Sequence, residues 1–235
     1  MLDVSIVSPL WIINDECLTL TKSALASVGD VPYILVDNAS PVGGGYLRSV
    51  ASTYIRNNKN LGFAKAVNQG IKLAKTRYVA ILSNDVRISP NWREVGEAAF
   101  LRNQDAFSVH FRMTNYDVPF TYGSKIVPTG KERWCTAAFF LLDREKNLFF
   151  DEKFFNSFED TDLFYRSRLL SYKNVYTDMA CYQHKHSFTQ KLVGFPKTGE
   201  NREYFKQKHG IDADTLLAKE LGEQMRQEYW EGFNL

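Results

Sequence analysis

The stretch Arg77–Asp85, RYVAILSND, runs from a buried strand straight into three polar residues. Tyr78–Leu82 is a short, continuous apolar run of the kind that fills the interior of a parallel sheet. Ser83, Asn84 and Asp85 follow at its mouth, so they form either a turn or a site. What the neighbouring strands end in decides between the two.

Two earlier strands end in a similar way. Residues 4–8, VSIVS, are β-rich and are followed by Pro9 and Leu10. Residues 31–37, VPYILVD, end in Asp37 and Asn38 and then a loop of turn formers, NASPVGGG. Helix signals lie between the strands. Asn14 and Asp15 cap a helix through about Val28, with Leu18, Leu25 and Val28 on one face. TYIRN, 53–57, is a shorter strand. In 62–76, GFAKAVNQGIKLAKT, positions 63, 67, 71 and 74 form an apolar helical stripe. Ser89 and Pro90 open another helix, as N-cap and first helical residue. This alternation predicts an α/β fold with a single Rossmann-like, mostly parallel sheet sandwiched by helices.

The second half is less regular. Strands are expected at 105–113, 135–142 and 173–178. A helix is expected at 159–171, with acids in its first turn where the helix dipole favours them. Charged helical stretches at 200–209 and 212–230 close the chain. No repeat, low-complexity tract or linker interrupts it. One domain over 1–195 with a C-terminal helical extension over 196–235 is the expected organisation.

Composition narrows the function classes. The 235 residues are 44% hydrophobic and 24% charged with a net charge of +2, an ordinary globular balance that argues against a dedicated polyanion binder. Cys17, Cys135 and Cys181 form no CxxC pair, so neither a disulfide framework nor a zinc site is expected, and a reducing cytoplasm fits best. The first fifteen residues carry Asp3 and no basic region, and read as a strand rather than a secretion signal. No apolar run approaches the roughly 20 residues of a membrane span. Basic residues near the end, in KQKHG and MRQEYW, are interleaved with acids. They read as a solvated face, so nucleic acid is not expected as a partner.

In an open α/β sheet, ligands bind beyond the carboxyl ends of the strands. Ser8-Pro9, Asp37-Asn38 and Ser83-Asn84-Asp85 all fall there. Asp37 suits a nucleobase or ribose donor. Asp85 is a hard oxygen ligand suited to Mg²⁺ or Mn²⁺. Either acid can also simply cap the next element. In NKNLGFAKAVNQG, 58–70, Asn60, Gly62 and Asn68 frame a turn into a helix. Gly62 would let backbone approach a ligand closely, and the sequence is neither a Walker loop nor GxGxxG. Residues 154–166, FFNSFEDTDLFYR, crowd Glu159, Asp160 and Asp162 together. Such like charges are costly unless used, as by a general base, or unless they form an acidic first turn. In CYQHKHS, 181–187, His184 and His186 share one strand face and suit a metal ligand and its neighbour. His110 and His209 show no such company.

Taken in order, VSIVS, ILVDNAS, NKNLGFAKAVNQG, AILSNDVRI, CTAAFFLLDRE, FDEKFFNSFEDTDLFYR and VYTDMACYQHKHS resemble the inverting nucleotide-sugar-dependent glycosyltransferases of family 2, with the GT-A fold. The resemblance spans about residues 3–190 and is nearest to rhamnosyltransferase-like members. It implies that Ser8, Pro9 and Leu10 line the base pocket and that Asp37 binds base or ribose. Asn60, Gly62, Phe63, Ala64 and Asn68 would shape the nucleotide site, with Asn84 beside it. Asp85 matches the last acid of the family's metal motif, with Ser83 in place of the first. His184 completes the metal shell, and His186 stands next to it. Asp160 matches the catalytic base and Glu159 orients it or meets acceptor. Trp134, the CTAA turn and Asp162 would border the acceptor. The implied donor is a nucleotide-diphospho-sugar of UDP, dTDP or GDP type. The implied acceptor is a glycan, a lipid-linked or a protein hydroxyl, reached from the cytoplasm or from the membrane periphery. Two rivals are a nucleotidyltransferase, which would carry a Gly-rich phosphate loop near the first strand where SPLWIINDE has none, and a catalytically dead binding domain.

Overall fold

A computed structural model describes residues 2–128, 138–185, 188–194 and 197–216. Its frame is one mixed nine-stranded sheet. The strands are β1 (Val4–Leu10), β2 (Tyr33–Asp37), β3 (Thr53–Arg56), β4 (Tyr78–Leu82), β5 (Val86–Ile88), β6 (Ala106–Asn115), β7 (Ile126–Pro128), β8 (Phe139–Asp143) and β9 (Lys173–His184). They lie in the order β3-β2-β1-β4-β8-β6-β9-β5, with β7 also paired to β9. The β3-β2-β1-β4 half is parallel; β8 runs antiparallel to β4 and β6.

Side-chain alternation along β1 sends Val4 and Ile6 to one face and Val7 to the other, so each face carries its own core. Helices α1 (Asp15–Val28) and α4 (Trp92–Arg102) cover the first face through Cys17, Ala24, Leu25, Trp92 and Ala99. Helices α3 (Phe63–Leu73) and α5 (Glu159–Leu169) cover the second through Ala64, Val67, Ile71, Leu163 and Phe164. The chain forms the α/β sandwich expected of it. Asn14 caps α1 as expected, accepting from the Cys17 amide at 2.8 Å.

Local details differ from the sequence reading. The loop NASPVGGG ends in a short helix, α2 (Gly44–Val50), started by Gly43 at φ 81°. Leu18 is only partly buried, while Cys17, Leu20 and Ala24 join the expected Leu25 and Val28 on the inner face of α1. Ser89 does not cap α4, which begins at Trp92 behind Asn91. The buried Ser89 hydroxyl accepts from the Cys181 amide and donates to Asn91, bridging β5 to β9. Strands β5 and β7 went unread, because three residues each carry no period. β9 runs on to His184 because it pairs with β6 along its length and with β7 and then β5 on its other side. Two further helices follow, α6 (Phe188–Val193) and α7 (Thr198–His209). Residues 135–137 and 217–235, on which the expected start of β8 and most of the last helix fall, lie outside the described residues.

Candidate active site

β1, β2 and β3 end level: Leu10 pairs with Asp37, and Asp37 with Arg56. Asp37 is fully buried, and its carboxylate is occupied from within the chain. It accepts from the Ser40 amide at 2.7 Å, from the Tyr54 hydroxyl at 2.6 Å and from Arg56 through a short charge-assisted contact. Beside it lies a cleft of about 400 Å³, lined by Ser40, Gly44, Gly45, Arg48, Tyr54 and Arg56. The sequence reading passed over Tyr54 and Arg56. Their signal was alternation along β3 facing the strand that ends in Asp37.

The asparagines on this rim also have partners. Asn38 donates to the Asn60 side chain and the Gly62 carbonyl and accepts from the Leu61 amide. Asn68 is buried and clamps residue 150, accepting from the Phe150 amide at 3.1 Å and donating to the Phe150 carbonyl at 2.9 Å. Gly62 has φ 85°, and a Cβ there would lie 2.5 Å from the Phe155 carbonyl oxygen. The close approach this glycine permits is therefore made by the chain's own Phe155. The Phe63 amide donates to the same carbonyl at 2.9 Å, and Phe63 meets Phe150 edge-on. Ala64 is buried beneath it. Ser8 is buried as well, its hydroxyl donating to the Leu82 carbonyl at 2.7 Å, and Leu10 is buried next to partly exposed Pro9.

At the end of β4, Asp85 is only 4% exposed. The β5–β9 pairing sets Val86 opposite His184, which brings His184 Nε2 to 3.3 Å from Asp85 Oδ1. Asp85 Oδ2 accepts from the Phe188 amide at 3.1 Å, and Asn84 donates to Thr189 at 3.3 Å, so α6 is fastened to this corner. Burial pushes the Asp85 carboxyl up, but His184 and the Phe188 amide outweigh it and hold its pKa below the ordinary value. Among the described residues no third His, Cys, Asp or Glu joins them. His186 lies outside the described residues, as does Trp134. One carboxylate oxygen and one imidazole nitrogen at this separation fit two adjacent positions of a divalent cation that takes its other ligands from diphosphate and water.

The third part of the rim is the start of α5. Phe155 touches the N-terminus of α3, which places the segment leading into α5 on the same rim as Asp37. Phe158, just before Glu159, adopts φ 64°, a left-handed conformation uncommon for a bulky residue, and no side chain caps the helix there. Glu159, Asp160 and Asp162 do form the acidic first turn of α5, as the sequence suggests. Asp160 Oδ1 accepts from the Thr161 amide at 2.7 Å. Glu159 is 7% exposed, and its Oε2 has no hydrogen-bond partner among the described residues. Burial, and then the adjacent Asp160, push its pKa up to about 8. Asp162 lies apart from these two. It is fully buried and receives Arg166 at 2.7 Å, Lys208 at 2.6 Å and His209 at 2.8 Å. His209, which has no company in the sequence, gains it here from α7. No local signal could reveal a partner 47 residues away.

The profile of glycosyl transferase family 2 matches residues 16–173, which hold the ends of β2, β3 and β4 and the acidic turn of α5. The chain belongs to glycosyl transferase family 2. No curated protein matches the sequence. Among solved structures, S. aureus TarS 1–349 superposes with TM-score 0.60 at 15% identity, over 77% of this chain and 59% of that one. TarS 1–349 in complex with UDP-GlcNAc gives 0.59 at 16%, over 77% and 57%. GalNAc-T7 with UDP, GalNAc and Mn²⁺ gives 0.63 at 13%, over 78% and 44%. These likenesses are of fold, and they make this family 2 chain a GT-A fold. The chain spans less than two thirds of each of these proteins. Among the described residues, no helix is long and apolar enough to cross a membrane.

Proposed function

We propose that this chain transfers a sugar from a nucleotide-diphospho-sugar to an acceptor hydroxyl, with inversion at the anomeric carbon. The observation that carries this reading is the pairing of Asp85 with His184 at the end of β4, on a rim that also receives the N-terminus of α5, in a chain of family 2. Asp85 and His184 would hold Mn²⁺ or Mg²⁺, which when bound would neutralise charge on the leaving diphosphate. Asp160 takes the proton from the acceptor hydroxyl as general base, an effect worth about 10²–10⁴ in rate. Glu159 is held mostly protonated beside it at neutral pH. One carboxylate of the pair therefore carries the negative charge, and Glu159 can donate a hydrogen bond to acceptor or base. The rim of β1 to β3 receives the nucleoside, with Asp37 reaching it through the Tyr54–Arg56 pair. TarS bound to UDP and UDP-GlcNAc makes UDP donors the first to try, with GDP, dTDP and rhamnosyl donors beside them. The donor domain ends near residue 195, and 196–235 is a C-terminal extension.

The test is thermal unfolding with UDP, GDP and dTDP, each with and without Mn²⁺, followed by turnover of the matching sugar donors. One diphosphate should stabilise the chain in a Mn²⁺-dependent way, by roughly 2.7 kcal/mol at about 100 times its dissociation constant. Asp160→Asn should then bind that diphosphate normally and transfer no sugar. Transfer by Asp160→Asn at the wild-type rate would remove Asp160 from its role. A catalytically dead binding domain would show the shift and no turnover.

A further inference from the structure

Helix α7 lies beyond the residues that the family profile matches, yet it is joined to the first turn of α5 by buried charge. Asp162 is fully enclosed, and such a carboxylate is tolerable only with donors on several sides. One donor, Arg166, comes from α5 itself, and the other two, Lys208 and His209, come from the last turn of α7. Lys208 also reaches Asp151 at 2.6 Å, and the Tyr204 hydroxyl donates to Asp151 at 2.8 Å. Around these ions Phe154, Phe205, Ala213 and Leu216 form a small apolar core of their own. The three acids of α5 are thereby sorted. Asp162 is matched by three donors, while Glu159 and Asp160, three and two residues earlier, keep their carboxyl groups on the first turn. The chain entering that turn passes through left-handed Phe158, a conformation that persists only where its surroundings hold it.

We infer that Lys208 and His209 are positioning residues for transfer, which hold Asp162 and through it fix the turn that carries Asp160 and Glu159. The inference rests on the transferase reading above. A base displaced by about 1 Å loses on the order of 10²-fold in rate, so the effect belongs in kcat rather than in donor affinity.

The experiment uses the full chain with Lys208→Ala, His209→Ala, and the conservative Lys208→Arg and His209→Gln, which keep a donor toward Asp162. Hydrogen exchange of peptides covering 157–163 and steady-state transfer are measured on each. Faster exchange in both alanine variants is expected, with kcat down about 10- to 100-fold, donor KM within about twofold, and recovery in Lys208→Arg and His209→Gln. Unchanged exchange in the alanine variants overturns the clamp whatever the turnover. Faster exchange with wild-type kcat reduces α7 to a stabilising element and overturns the positioning role. A wild-type chain that protects 157–163 but turns over no nucleotide sugar defeats the transferase reading, and the positioning role with it.

Discussion

Glu159→Gln separates the two protonation states of the acidic turn. In the folded chain Glu159 is buried next to Asp160, and its pKa stands at about 8 against 4.5 for an unburied glutamate. A group whose folded pKa is raised binds more protons folded than unfolded. Its ionisation therefore costs stability, and that cost grows as pH rises from 4.5 toward 8. At about 1.4 kcal/mol per pH unit, the loss that this one group causes between about pH 5.5 and 8.5 comes to about 3 kcal/mol. Glutamine cannot ionise, so Glu159→Gln escapes it. The assay is urea unfolding of both proteins at both pH values. Any penalty for placing an amide in the site appears as a constant offset, whereas the proton linkage appears as a difference in slope. The variant should gain about 3 kcal/mol on wild type across this window. Parallel pH dependences, within about 0.5 kcal/mol, would show that Glu159 ionises in the folded chain as it does in water, and the reading of a protonated Glu159 beside an ionised Asp160 would fall.

Gly62→Ala forces a Cβ against the Phe155 carbonyl at φ 85° and should cost about 2–5 kcal/mol, read as a lower urea midpoint; a loss under about 0.5 kcal/mol would mean the α3 entry is not held there. His110 is buried between Phe140 and Phe164 with its Nε2 2.6 Å from the Ser108 hydroxyl, and burial drops its pKa to about 3 from 6.5. Its contribution is complete above pH 6.5 and is lost as pH falls toward 3, so wild type should lose about 2 kcal/mol relative to His110→Phe between about pH 7 and pH 5; equal losses refute a neutral buried imidazole. Chelation should abolish the diphosphate-induced thermal shift and added Mn²⁺ restore it, while Asp85→Ala should show no Mn²⁺ effect at all; a shift that persists in that variant moves the metal elsewhere.

The α/β alternation was legible because buried parallel strands and amphipathic helices impose different periods on the chain. Tyr78–Leu82, Tyr33–Asp37 and the 63, 67, 71, 74 stripe each write one of them. The strand-end acids were legible too, since Asp37 and Asp85 interrupt apolar runs at the edge where α/β sheets bind ligands. What the local pattern could not convey was the partner of each polar group. Asp37 looks free in sequence and is taken up by Tyr54 and Arg56, because the β2–β3 register sets Arg56 beside it. Gly62 reads as room for a ligand and is room for Phe155.

From its residues alone the chain declared the α/β layers and the polar strand ends, because these follow from side-chain period and local order, and its motifs taken in order carried the resemblance to family 2. Tertiary structure decided the rest. The β5–β9 register brings His184 to Asp85 from far along the chain, and α7 folds back onto Asp162. Burial makes Glu159 a weak acid beside Asp160. Each of these depends on distances through space and on the exclusion of water, neither of which is encoded in the spacing of neighbours along the chain.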